Sequence, residues 1–165
     1  MAVFEFPNPV NEVSARLVAG GVVVMAVLTI VFDLEWLTVV LAYGFVARTL
    51  SGPTLSPLGQ LVTRVITPTL PLEAKMVPGP PKRFAQLIGA VFTVTVVIAT
   101  YGLDRFDISQ LLLGVLLVPA SLEAFVGFCV GCRLFGLLMR AGVIPASVCE
   151  ECNDIWRRVP PATAS

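Results

Sequence analysis

The chain has 165 residues, a one-domain length; 56% of them are hydrophobic and 13% charged, against about 45–50% and about 25% in soluble domains. Eleven basic residues balance eleven acidic ones, so no bulk field directs the chain to nucleic acid. There is no histidine, which removes the commonest general base, and no nucleotide-binding loop or hydrolytic triad; enzymatic activity is left open. Charges are absent from long stretches and gather between them, as bilayer solvation requires.

Residues 17–32 carry no charge, and neither do residues 36–47; Asp33 and Glu35 stand between them. Each stretch alone is short of the roughly 20 residues of a membrane-spanning helix. Two carboxylates at a bilayer centre are costly, so the pair reads as a tight helical hairpin over about 14–32 and 36–50, with Arg16 and Arg48 snorkelling outward. One long span plus an interfacial helix is the alternative.

Residues 51–81 form the largest connection and hold seven prolines, four of the last positions reading Pro78-Gly79-Pro80-Pro81. Within it, Ser56-Pro57 is a helix start, serine as cap and proline at the first position. Leu58, Leu61, Val62, Val65 and Ile66 follow at helical spacing. This segment reads either as a helix on the cytoplasmic leaflet or as an ordered loop packed on the bundle.

Residues 84–103 form the clearest span, twenty uncharged residues between Lys82-Arg83 and Asp104. Their β-branched content suits strands, but a continuous apolar run of this length argues for a transmembrane helix. A further apolar run opens at Ile108 and is broken only by Glu123 and Arg133 before Met139. As one helix it would reach about 46 Å, beyond the roughly 30 Å hydrocarbon core. A span over 108–128 therefore leaves the membrane near Phe128. Ala85 with Gly89, and Ala120 with Ala124, are small residues four apart that permit close helix approach.

Ten of the eleven basic residues fall on one side of this arrangement; Arg105 is the exception. The positive-inside rule makes that side cytoplasmic, both termini included. The fold class is thus all-α: a polytopic four-transmembrane-helix bundle over residues 1–140, with a Pro-rich cytoplasmic connection and a cytoplasmic tail over 141–165. A cleavable signal peptide is not expected, since the first fifteen residues hold no Lys or Arg.

The chemistry concentrates in the last quarter. All four cysteines lie there, as Cys129-Val-Gly-Cys132 and Cys149-Glu-Glu-Cys152, sixteen residues apart. That spacing suits a tetrathiolate metal site, zinc above all, with Cys129, Cys132, Cys149 and Cys152 as ligands. Gly136, Gly142 and Pro145 let the chain reverse to bring the pairs together, and the clasp would anchor the tail of a membrane scaffold or subunit. The alternative is dithiol redox chemistry or sulfur relay. Gly127 and Gly131 let the helix break and restart near Cys129, where the helix dipole favours a thiolate, and Arg133 is a neighbouring cation. Cys129 would then attack and Cys132 resolve. A third reading makes Cys129 and Cys132 small packing residues. Glu123, a carboxylate within a span, marks either a proton or ligand path or a packing role near the interface. On a straight helix it lies about 240° round from Cys129, on another face.

Several stretches together resemble the DUF4395 family of uncharacterised bacterial membrane proteins. They are Arg83-Phe84-Ala85-Gln86-Leu87 opening the third span and Gly127-Phe128-Cys129-Val130-Gly131-Cys132 ending the fourth. Less specific are Gly52-Pro53-Thr54-Leu55-Ser56-Pro57-Leu58-Gly59 and the arm Asn8-Pro9-Val10-Asn11. The resemblance covers most of the chain. It implies a multi-pass protein of the bacterial plasma membrane, with the lipid bilayer and a thioredoxin-like or sulfurtransferase protein as partners, and importance for Cys129 and Cys132. It brings no established activity, and since Cys149 and Cys152 are not expected in every member, the four-thiol reading rests on this sequence.

Overall fold

The computed structural model describes residues 6–149 and residue 152. Arg157, Arg158, Glu150 and Glu151 of the tail lie outside the described residues. The described chain is mostly helical. A two-residue strand β1 (Val10–Asn11) leads into α1 (Glu12–Phe32), capped by Asn11, whose side chain accepts the Val13 N–H at 2.9 Å. Asp33, in the left-handed region at φ 51°, ends α1, and α2 (Trp36–Ser51) returns at once. The two carboxylates of the predicted hairpin thus sit in its turn.

The long connection begins as expected. The Ser56 hydroxyl accepts the Gly59 N–H at 3.2 Å and Pro57 opens α3 (Pro57–Leu61), which runs through a π-helical turn (Val62–Ile66) into the single turn α4 (Thr67–Thr69). The segment packs on the bundle: Leu58 lies against the backbone of Gly21, and Val62 is fully buried. Leu61 and Val65 point outward, so the expected stripe is split between two faces. Met76–Val77 then forms β2, which pairs antiparallel with β1 in the register Val10–Val77 and Asn11–Met76.

Pro78 to Pro81 differ from the expectation. They start the third long helix rather than ending the loop. Gly79 begins α5 (Gly79–Val97), extended by a π turn (Ile98–Gly102), with the prolines in its first turn. Proline fits there because those N–H groups have no helical partner, and Asn8 takes the free one, its side chain accepting from Gly79 N–H at 2.9 Å. The shift draws Lys82 and Arg83 into the helix. After a turn at Asp104, α6 (Phe106–Ser121) crosses back and ends in a π turn (Leu122–Val126); α7 (Val130–Arg140) follows.

The helix formed by α1, that of α5 with its π turn and that of α6 with its π turn are long and apolar enough to cross a membrane; α2 is apolar but shorter. Only 22–33% of each long stretch is buried, so most of the apolar surface faces outward, unlike a soluble bundle with one apolar stripe. The chain is a membrane protein on that ground. The four helices close a ring in which α1 and α5 each pack on α2 and α6. Val22, Leu41, Phe45, Ala90, Val96, Leu113 and Leu116 fill its centre, the Phe45 ring seated on Gly89. Buried hydroxyls bond within or between helices: Thr93 donates to the Gly89 carbonyl, and Thr100 meets Ser109 at 2.8 Å.

Candidate functional site

The first cysteine pair is built by a break in the chain. Glycine 127 has φ +74°, which a side chain disfavours by about 1–2 kcal/mol. There the fourth long helix stops, and the Arg16 guanidinium caps its end by donating to the Phe125 carbonyl at 3.0 Å. Cys129 is extended (φ −88°, ψ 105°) and serves as N-cap of α7; its Sγ accepts the N–H of Cys132 at 3.3 Å. The break and restart expected at Gly127 are present, with Cys129 in the position where the helix dipole favours negative charge.

Helix α7 is held close to α5. A Cβ on Gly131 would lie 2.5 Å from that of Ala85, and Phe84 meets Phe135 at 5.6 Å between centroids. This approach sets both thiols, each partly buried, beside the start of α5. Lys82 is buried there, and its Nζ pairs with Glu123 Oε1 at 2.5 Å. Because the helix breaks at Gly127, the face count along a straight helix fails: Glu123 and Cys129, expected on different faces, act on each other through space.

The electrostatics differentiate the two thiols. Cys129 is held below the ordinary thiol value, chiefly by the hydrogen bond from the Cys132 side chain; burial and Glu123 oppose this, and Lys82 and the Cys132 N–H assist. Cys132 is pushed up, first by that same hydrogen bond, then by burial and the Cys129 charge. Cys129 is thus the more readily ionised of the two thiols, and Cys132 the one that keeps its proton to donate. The helpful cation is Lys82. Arg133, expected in that role, instead stacks over Phe128, 5.3 Å from the ring centroid.

The second pair is in another state. A single 3₁₀ turn (Ala146–Val148) leads to Cys149, which is buried and disulfide-bonded to Cys152. The tail does return to the bundle: Val148 and Phe135 line one groove of about 570 Å³ against α5. Among the described residues, however, no three Cys, Asp or Glu side chains converge as a metal site requires. In this arrangement the four sulfurs do not form a tetrathiolate cage.

Two functional candidates were not singled out in the sequence, Lys82 and Arg48. Lys82 had a usable signal. It opens the third span and Glu123 nears the end of the antiparallel fourth, so the two lie at matching depth. Arg48 does not snorkel. It is 5% exposed, its Nε donating to Gln86 Oε1 at 3.0 Å and its Nη1 to the Ser56 hydroxyl at 3.1 Å, with the guanidinium 4.7 Å over the Phe45 ring.

The family model described as Domain of unknown function (DUF4395) matches residues 10–140. No curated protein and no solved structure matches the chain.

Proposed function

The chain belongs to the DUF4395 family, and we propose that it is a membrane dithiol whose Cys129–Cys132 pair exchanges electrons with a thioredoxin-like or sulfurtransferase protein at the cytoplasmic face of a bacterial membrane. The observation that carries this reading is the N-cap position of Cys129, with its sulfur on the Cys132 N–H and Lys82 nearby. All four long apolar helices span the bilayer in this reading, α2 included, and both termini are cytoplasmic. The ten-to-one distribution of basic residues supports that orientation.

The exchange runs in two displacements. The Cys129 thiolate attacks one sulfur of the partner's disulfide; that S–S bond breaks and the other partner sulfur leaves as thiolate. Cys132 then gives up its proton to the departing thiolate and attacks Cys129 Sγ. The partner sulfur bound to Cys129 then leaves with the electron pair of that bond. Cys129 and Cys132 are oxidised by two electrons to a disulfide, and the partner is reduced by two. The reverse sequence oxidises the partner. Cys132→Ser should therefore trap a mixed disulfide through Cys129, visible on a non-reducing gel, and Cys129→Ser should trap nothing. Equal behaviour of the two variants would contradict this order.

The sixteen-residue spacing favours a second reading, zinc held by all four thiolates once the tail disulfide is reduced. Elemental analysis of protein purified under reducing conditions tests it. One zinc per chain, lost on any single Cys→Ser change, would establish the clasp and displace the redox reading.

A further inference from the structure

A second cavity, of about 180 Å³, opens between the N-terminal arm, α1, α2, α3 and α5, and Arg48, Lys82 and Gln86 all line it. Both cations are buried. Arginine cannot neutralise itself by losing a proton, and a buried charge needs a partner. Glu123 pairs with Lys82; among the described residues no carboxylate pairs with Arg48. Among the described residues, the single carboxylate Glu123, whose charge acts on Arg48 as well as on Lys82, offsets only one of the two cations.

The donors are also arranged for an anion. Lys82 and Gln86 are one turn apart on α5, so their side chains share a face. Gln86 gives its carbonyl oxygen to Arg48 Nε, and among the described residues its amide N–H groups have no other partner. Arg48 spends two of its five N–H donors on Gln86 and Ser56. The volume exceeds several times the roughly 30 Å³ of a liquid water, room for an ion of five heavy atoms.

We propose that this cavity is a binding site for a small tetrahedral oxyanion of the sulfate or phosphate class, held by Arg48, Lys82 and the Gln86 amide. The site stands independently of the dithiol reading. Its source is either a free ion or the head group of an anionic phospholipid, and the same donors would take both.

The test is thermal unfolding of the full chain in a zwitterionic detergent, titrated with millimolar sodium sulfate or phosphate against chloride at matched ionic strength. A parallel series uses nanodiscs with and without phosphatidylglycerol. A saturating rise in Tm of a few degrees in either series is expected from mass action, and the series that shows it identifies the source. Gln86→Glu sets a carboxylate beside Arg48 as an internal counter-ion, so the variant should fold and lose the rise. Arg48→Gln should lose it too. No saturating rise in either series, or a rise that survives in Gln86→Glu, would overturn the site.

Discussion

The two CxxC pairs share a motif and differ in everything that surrounds it. Cys129 begins the eleven-residue α7, its sulfur on a backbone N–H at the positive end of that helix, with a buried Lys82 in reach. Cys149 follows a single 3₁₀ turn and is bonded to Cys152. Spacing therefore does not set thiol chemistry. Capping, burial and the nearest charge do, and these come from the packing of α7 on α5 through Gly131 and Ala85.

The sharpest break of this comparison is to exchange the roles of the pairs. Cys129→Ser should abolish disulfide exchange with a reduced or oxidised thioredoxin-like protein, whereas Cys149→Ser should leave it within a few-fold. Exchange rates followed by partner fluorescence would show this. Loss of activity in Cys149→Ser would place the tail pair in the electron path.

The ion pair comes next. Lys82→Met leaves the partly buried Glu123 without its partner, which should cost about 1–3 kcal/mol, read as the shift in an SDS or thermal unfolding midpoint. The double variant Lys82→Met with Glu123→Leu should recover most of it. A double variant as unstable as the single one would show that Lys82 acts through packing alone. Smaller still is Gly127→Ala. The left-handed backbone there should cost about 1–2 kcal/mol, and the misplaced N-cap should slow Cys129 alkylation more than the stability loss explains.

Much of this architecture was legible in the sequence because lipid imposes a coarse rule. Long stretches with few or no charges reveal the apolar helices, and Ser56-Pro57 and Gly127 announce a start and a stop. Helix edges were less legible. Pro80 and Pro81 serve the first turn of α5, yet the same residues suit a loop, and only the Asn8 contact to Gly79 distinguishes the two. The fate of charges was least legible. Arg48 and Lys82 sit at span ends, where long cations snorkel by default. Whether they turn inward depends on partners remote in sequence, Gln86 for one and Glu123 for the other. A straight-helix count places Glu123 and Cys129 on separate faces, and the break at Gly127 removes that geometry.

Cys129 ionises before Cys132, which holds its proton. Alkylation across pH, with the labelled peptides quantified by mass spectrometry, tests it most directly on a Cys149→Ser, Cys152→Ser background. A thiol below its ordinary value of about 8.5 ionises earlier as pH rises. Cys129 should therefore react first, with a midpoint below that value, and slow down only as pH falls through it. Lys82→Gln should move the midpoint upward, since Lys82 favours the thiolate. Cys132 should react only at much higher pH while Cys129 is free. Cys132 labelling first, or both thiols titrating together at the ordinary value, would contradict the account.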